Sequence, residues 1–258
     1  MKLTENNGII IALAIACGAL LSAYRAKKFN HDPEIIYYLF LPLTIWGLIG
    51  ARLWHILTPP LSSVQLGLTT QHYFSHPIDA LVLWIGGFGL PGAILGGTFA
   101  LYIFCRKYEQ PFWQLADILA PGLALAQVIG RFTNYLNQEL YGLPTNLPWA
   151  IFIELPSRLS GYEAIEFYHP LFAYEMILNS INFIVLLWIG KKFSSKLNAG
   201  DLFLFYLAFY SLTRFLLEFL RLDIALVNGI NINQIFFALL FFLAGGFLLW
   251  RQRLVQNL

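Results

Sequence analysis

Charged residues are scarce in this sequence. Only 12% of the 258 residues are Asp, Glu, Lys or Arg and 58% are hydrophobic, whereas a soluble domain carries about 25% charged residues. Cysteine is scarce as well: Cys17 and Cys105 both lie in apolar runs, without a CxxC pair or a Cys/His cluster. We therefore expect no disulfide and no metal site, and we interpret both cysteines as small core hydrophobes. The sequence also lacks a nucleotide-binding loop, so we expect no cofactor. We expect the membrane, and no nucleic acid, as a partner.

Long apolar runs are what the sequence has in abundance. Its mean hydropathy is +0.65, and a helix needs about 20 apolar residues to cross a bilayer. The runs lack the strict alternation of a membrane β-barrel, so they predict helices. The predicted fold is an all-α polytopic membrane protein, one integral membrane domain over residues 1–258 with about seven transmembrane helices. The predicted spans are 8–24, 35–56, 80–105, 112–129, 170–189, 200–220 and 232–250.

Basic residues are distributed unevenly between the two ends of these spans. Ten of the 16 lysines and arginines follow predicted spans 1, 3, 5 and 7, whereas residues 57–77 contain none. By the positive-inside rule, we expect the N-terminus outside and the C-terminus in the cytoplasm. Because basic residues follow the first apolar run rather than precede it, we do not expect a cleavable signal peptide. The ten residues are Arg25, Lys27, Lys28, Arg106, Lys107, Lys191, Lys192, Lys196, Arg251 and Arg253.

The largest polar insertion covers residues 133–169, between predicted spans 4 and 5. The topology above makes this insertion extracytoplasmic. Within it, prolines flank a short apolar run in "LPTNLPWAIFIELPS". This pattern predicts a strand in a small extracytoplasmic cap.

Glycine is concentrated in the third apolar run, "LWIGGFGLPGAILGGTF", with six glycines in residues 86–97. Two interpretations are open at this point. Small residues such as Gly92 and Gly96 allow close helix packing. Alternatively, the helix is broken here, where non-helical backbone lines a cavity.

Polar residues are concentrated in "IGRFTNYLNQELYG", residues 129–142. Arg131 and Asn134 are three residues apart and share a helix face, but no straight helix aims Asn137, Glu139 and Gly142 at the same point. We infer that span 4 ends here and that the chain folds back. The alternative is an ordinary polar loop at the membrane surface.

A second polar group lies in predicted span 6, in "TRFLLEFLRLD". Arg214, Glu218 and Arg221 are spaced to lie on one helix face. One interpretation is an ion-pair ladder that joins helices. The other is an anion site, because two cations exceed one anion and guanidinium binds phosphate bidentately.

Polar residues in three more segments have structural interpretations beside roles in the site. We expect Arg52 to extend along span 2 to the membrane surface, with a role in the site as the alternative. We expect Asp117 to interact with the dipole of its own helix. In "YHPLFAYE", His169 is a candidate base or hydrogen-bond donor, whereas Tyr174 and Glu175 could bond to neighbouring helices.

Together these motifs resemble the prolipoprotein diacylglyceryl transferase family of bacterial membrane enzymes. The resemblance runs through nearly the whole chain, and rests on polar residues at fixed spacing. The segments that carry it are "GLIGARL", "WIGGFGLPGAILGG", "ADILAPGLALAQVIGRFTNYLNQELYG", "HPLFAYE" and "RFLLEFLRLD" with Gln234 beyond.

The resemblance implies an activity in the bacterial plasma (inner) membrane. The family transfers a diacylglyceryl group from phosphatidylglycerol to the lipobox cysteine of preprolipoprotein signal peptides, and releases glycerol 1-phosphate. The resemblance also implies that one set of residues binds the substrates and that a second set is catalytic. The binding residues are Arg131, Asn134, Asn137, Gly142 and Arg221. The catalytic residues are Arg214, Glu218, Glu139 and His169, the last two as alternative proton acceptors.

The sequence departs from the family pattern at two places. Pro91 stands where the family often has a histidine, and Asn7 precedes Gly8 where the family usually has a tyrosine. The first departure leaves open a paralogue that binds lipid without catalysis. The alternative from another functional class is a lipid or anionic-solute transporter, although we detect no two-half symmetry in the sequence.

Overall fold

The computed structural model describes residues 5–82 and 86–256 and is predominantly helical. Its longer helices are α1 (Glu5–Lys28), α2 (Glu34–Leu57), α6 (Leu90–Lys107), α7 (Phe112–Leu136), α8 (Leu171–Lys192), α9 (Asp201–Leu217) and α10 (Ile232–Gln256). Three short helices lie between α2 and α6, namely α3 (Leu61–Gln65), α4 (Thr70–Ser75) and α5 (Pro77–Leu81). Two hairpins complete the fold, β1 (Ile151–Phe152) with β2 (Phe167–Tyr168) and β3 (Leu226–Val227) with β4 (Ile230–Asn231).

Within the described residues, six helices are long and apolar enough to cross a membrane. The chain is therefore a multi-pass membrane protein, as the apolar runs predicted. Its interior is apolar, and Leu39, Leu115, Leu186 and Phe237 are fully buried where helices meet. The six helices cover Gly8–Lys28, Glu34–Leu57, Phe112–Leu136, Leu171–Lys192, Asp201–Leu220 and Ile232–Arg253.

The third apolar run differs from its prediction. Helix α6 begins at Leu90 rather than at residue 80, and has 18 residues. Gly86 and Gly87, at φ of 88° and 84°, take a left-handed backbone conformation that only glycine adopts without strain. The count of seven spans therefore stays a prediction, as does the orientation of the termini.

Both interpretations of the glycine-rich run describe part of it. The chain is not helical at Val82 or from Gly86 to Gly89, so the helix is broken as one interpretation proposed. Beyond the break, Gly92 and Gly96 lie so close to the backbone of α2 that a Cβ atom on either would overlap a carbonyl group. This is the close helix packing of the other interpretation.

The insertion between α7 and α8 forms a small structured unit. It starts later than predicted, because α7 continues through Leu136. A strand lies in the predicted proline-flanked run, and Ile151 pairs with Tyr168 in the antiparallel hairpin. Tyr141 donates a hydrogen bond to Ser157 O at 2.8 Å, and burial raises the pKa of Tyr141 to about 12, so this donor stays protonated. The extracytoplasmic location of the unit stays a prediction.

Asp117 is structural, but it acts on a different helix from the predicted one. Its carboxylate accepts hydrogen bonds from Gly200 N at 2.6 Å and from Phe203 N at 2.8 Å. These groups lie at the start of α9, whose free N–H groups need acceptors. Asp117 therefore joins α7 to the N-terminus of α9.

Candidate functional site

Five charged side chains meet where α7, α8 and α9 converge. Glu175, in the second turn of α8, is 1% exposed, and its carboxylate forms ion pairs with both Arg131 of α7 and Arg214 of α9. We call Arg131, Glu175, Arg214, Glu218 and Arg221 the charge cluster. Glu175 is central to it, although the sequence interpretation gave it no site role. Its position in the "YHPLFAYE" motif was the only available signal.

Arg214, Glu218 and Arg221 are brought together, but not by one helix face. Helix α9 ends at Leu217 and a 3₁₀ turn follows over Glu218–Leu220. Glu218 Oε2 lies 3.5 Å from Arg214 Nη2 and 3.7 Å from Arg221 Nη1. The helical spacing predicted for Arg221 was therefore wrong, because the chain is extended at this residue, while the predicted ion pairs with Glu218 are present.

The charge cluster has three cations and two anions, which leaves one positive charge in excess. Its arginines differ in accessibility: the side chain of Arg214 is 5% exposed, whereas those of Arg131 and Arg221 are 20% and 21% exposed. Arg131 Nε is buried and has no hydrogen-bond partner among the described residues. Because positive charge is in excess and the side chains of Arg131 and Arg221 are partly exposed, this arrangement suits an anion that reaches these two guanidinium groups.

Three polar residues after Arg131 form a hydrogen-bonded turn. Arg131 Nη1 donates to Asn134 Oδ1 at 3.2 Å. Asn134 and Asn137 each donate an amide hydrogen bond to Glu139 Oε1 at 3.0 Å. Gln138 and Leu140 have φ of 51° and 56°, so the chain reverses direction here. The predicted fold-back is confirmed, with α7 ending at Leu136.

Gly142 joins three segments of the site by its backbone. Its N–H donates to His169 O at 2.8 Å, and it forms a bridge with Arg221. A Cβ atom at Gly142 would lie 2.6 Å from Leu220 O. Only glycine therefore permits this approach of the fold-back segment to the end of α9.

His169 lies beside this backbone, but its side chain faces Tyr174. The ring Nδ1 is 3.1 Å from the Tyr174 hydroxyl, which also accepts a hydrogen bond from Trp149 Nε1 at 2.8 Å. In the part of the chain that the structure describes, no hydrogen bond or ion pair joins the imidazole to the charge cluster. The geometry leaves both His169 and Glu139 as candidate proton acceptors.

The start of α10 borders the charge cluster. Asn231 Nδ2 lies 3.4 Å from Glu218 Oε1, and Asn231 Oδ1 accepts from Gln234 N at 3.2 Å. Two residues along from Asn231, Asn233 accepts a hydrogen bond from Trp54 Nε1 of α2 at 2.9 Å. This contact links α2 to the start of α10.

Arg52 does not extend to the membrane surface, and this prediction was wrong. The residue is 5% exposed and donates to backbone carbonyls of the segment before α6. Its hydrogen bonds reach Asp79 O at 2.7 Å, Ala80 O at 2.9 Å and Gly86 O at 2.6 Å. These acceptors hold the guanidinium inside the protein.

Comparison with known proteins agrees with the resemblance drawn from the motifs. The family model described as prolipoprotein diacylglyceryl transferase matches residues 5–251. A phosphatidylglycerol–prolipoprotein diacylglyceryl transferase of Synechococcus elongatus is 38% identical over 230 residues, which cover 88% of this chain and 76% of the relative. One of Parasynechococcus marenigrum is 37% identical over 263 residues, which cover 97% and 91%. The chain belongs to the prolipoprotein diacylglyceryl transferase family.

Proposed function

We propose that this protein transfers the diacylglyceryl group of phosphatidylglycerol to the lipobox cysteine of preprolipoproteins, and that the charge cluster binds the lipid phosphate. Family membership supports the reaction, since the relatives bear the name phosphatidylglycerol–prolipoprotein diacylglyceryl transferase. The observation that supports the site is the excess of guanidinium over carboxylate groups, with Arg131 and Arg221 partly exposed.

The reaction replaces a C–O bond by a C–S bond. The cysteine thiolate attacks the glyceryl carbon that bears the phosphate, and the electron pair of the broken bond leaves with the phosphate oxygen of glycerol 1-phosphate. The thiol must first lose its proton, because the thiolate is the nucleophile. Charge then grows on the departing phosphate, where preorganised donors are most effective in a low-dielectric site.

Arg131 and Arg221 have the accessibility that phosphate contact requires. Arg214 is more deeply buried, so its part is to hold Glu175 and Glu218, which orient the two outer guanidinium groups. Asn134 and Asn137 hold Glu139 and present further donors beside the headgroup. Gly142 keeps the fold-back segment close enough for this arrangement.

Two residues are proposed as alternative acceptors of the thiol proton. Oε1 of Glu139 already accepts two amide hydrogen bonds, while Nδ1 of His169 contacts Tyr174. His169→Gln and Glu139→Gln separate the two, because loss of the true base removes the corresponding limb of the pH–rate profile. A variant that keeps both limbs has not lost the base.

The reaction is tested with purified protein in phosphatidylglycerol vesicles and a peptide that carries a lipobox cysteine. We expect equimolar thioether peptide and glycerol 1-phosphate. Binding of lipid and peptide without either product would contradict the proposal, and would favour a non-catalytic paralogue. Movement of lipid between leaflets without product would favour a transporter instead.

We further propose that the protein lies in the bacterial plasma membrane with its N-terminus outside. The uneven distribution of Lys and Arg supports this orientation. It would put the cap, the fold-back segment and the charge cluster on the outer side. A lipobox cysteine at the end of a signal peptide would then meet the lipid headgroup at that surface.

A further inference from the structure

The chain before α6 packs beside the last turns of α2 rather than beyond its end. Gly89 N donates to Ala51 O at 2.8 Å. A Cβ atom at Gly87 would lie 2.6 Å from Nε2 of His55. We call residues 77–82 and 86–89 the flank segment. Its described parts therefore lie level with the last two turns of a membrane-spanning helix.

Arg52 binds the flank segment on both of its described parts. The guanidinium donates to the carbonyl groups of Asp79 and Ala80 on one part and of Gly86 and Gly87 on the other, at 2.6–3.2 Å. Non-helical backbone at membrane depth persists only where its polar groups are satisfied within the protein. Arg52 satisfies four carbonyl groups of the flank segment in this way.

The flank segment exposes three large apolar side chains, and its one charged side chain, Asp79, is 42% exposed and pairs with His72 at 2.9 Å. Ile78 and Leu81 are each 76% exposed and Phe88 is 46% exposed. Leu53 and Leu57, on the adjacent turns of α2, are each 54% exposed. These side chains continue the lipid-facing surface of α2. No lysine or arginine occurs in residues 57–89.

The length of α6 gives an independent indication of depth. Its 18 residues extend about 27 Å at 1.5 Å per residue, which is less than the hydrocarbon core of about 30 Å. The end at Lys107 is marked by two basic residues, Arg106 and Lys107, as expected at a membrane surface. With Lys107 at one surface, Leu90 lies near the far edge of the hydrocarbon core, and the flank segment adjoins it there.

We infer that the flank segment lies among the acyl chains of the leaflet in which α2 ends, with Ile78, Leu81 and Phe88 in contact with lipid and Arg52 holding its backbone. The partner is the hydrocarbon of the surrounding phospholipid. This inference is independent of the proposed reaction. It assigns Arg52 a role in the membrane fold in place of the surface position expected from the sequence.

Depth-dependent quenching tests the lipid contact directly. Single cysteines replace Ile78, Leu81, Leu53 or Ser160 in a background with Cys17 and Cys105 changed to alanine, and each carries a bimane fluorophore. The protein is reconstituted in phosphatidylcholine vesicles that contain a phospholipid with a nitroxide on its acyl chain. Leu53 is the lipid-facing reference, and Ser160, exposed on the insertion, is the aqueous reference.

We expect fluorophores at positions 78 and 81 to lose as much fluorescence as the one at 53, and the one at 160 to lose little. The inference would be overturned if quenching at positions 78 and 81 were as weak as at 160 and an impermeant maleimide labelled both positions rapidly. The segment would then lie in water. Resistance to both quenching and labelling would overturn it in favour of a covering protein surface.

The role of Arg52 is tested in the same system. Arg52→Gln removes the charge and most of the donors, so we expect quenching at 81 to fall and maleimide labelling to rise. Arg52→Lys keeps the charge without the fork of donors, and the same direction of change is expected. Unchanged quenching in either variant that folds would contradict the role of Arg52. If neither variant folds, quenching at positions 78 and 81 in protein that keeps Arg52 still tests the lipid contact.

Discussion

Glu175 is the residue on which the charge cluster most depends. It is buried between two guanidinium groups from different helices, so Glu175→Gln removes the carboxylate that pairs with Arg131 and leaves Glu218 as the remaining carboxylate beside Arg214. Breaking a buried pair costs about 3–5 kcal/mol. We expect a large loss of thermal stability and of transfer activity. Glu166→Gln is the matched control, since its side chain is 58% exposed and 4.0 Å from Arg158, where a pair contributes about 0–1 kcal/mol. Equal stability of the two variants would contradict a central role for Glu175.

Gly142 is a second residue with a specific steric requirement. Gly142→Ala puts a Cβ atom 2.6 Å from Leu220 O, and such overpacking costs about 1–3 kcal/mol. We expect thermal unfolding at lower temperature and slower turnover, because the fold-back segment moves away from α9. Gly130→Ala, in α7, meets no atom within 4 Å and should be neutral or slightly stabilising. A neutral Gly142→Ala would show that the two segments are not tightly joined.

At the scale of single elements, the start of α9 depends on a side chain from α7. Asp117 accepts two backbone N–H groups there, so Asp117→Ala removes a cap worth about 0.5–2 kcal/mol. We expect a lower unfolding temperature, with transfer activity per folded molecule unchanged, because the charge cluster lies at the other ends of α7 and α9. Loss of activity at full stability would instead implicate Asp117 in the reaction.

Element boundaries near the site could be predicted only in part. The fold-back after Arg131 followed from the sequence, because the polar residues of that stretch cannot share one helix face. The end of α9 did not follow, since Arg214, Glu218 and Arg221 fit a helical period although a 3₁₀ turn intervenes. The late start of α6 depends on left-handed glycines at Gly86 and Gly87, which hydropathy does not register.

Contacts between distant elements were the least predictable. Glu175 meets Arg131 and Arg214, which lie about forty residues away on either side, and no local spacing encodes such a pair. Arg52 was misjudged for the same reason, because its acceptors are carbonyl groups on another segment. In contrast, four motif residues could be predicted as a group because they lie in one short polar stretch. The structure joins them by hydrogen bonds, and they are Arg131, Asn134, Asn137 and Glu139.

At the scale of the whole molecule, the membrane orientation is a prediction with a direct test. Ser160 lies in the insertion and Ser194 in the loop after α8. In the cysteine-free background, Ser160→Cys should react with an impermeant maleimide on intact cells, whereas Ser194→Cys should react only after the membrane is permeabilised. The opposite pattern would invert the topology, and put the charge cluster on the cytoplasmic side.

We propose that the charge cluster binds the phosphate of the lipid through Arg131. The guanidinium of Arg131 contacts Glu175 and Asn134 with separate nitrogens, and its fork geometry fits a phosphodiester that lysine meets only as a point charge. Arg131→Lys therefore keeps the charge and loses the geometry, while Arg253→Lys, at an exposed position of α10, serves as the control.

The deciding measurement is the rate of thioether formation by Arg131→Lys in phosphatidylglycerol vesicles with the lipobox peptide, at matched expression and thermal stability. We expect loss of most of the activity, with Arg131→Ala at least as impaired and Arg253→Lys unaffected. Near-normal activity of Arg131→Lys would contradict the proposal, and would leave Arg131 only the task of fixing the end of α7 at the membrane surface.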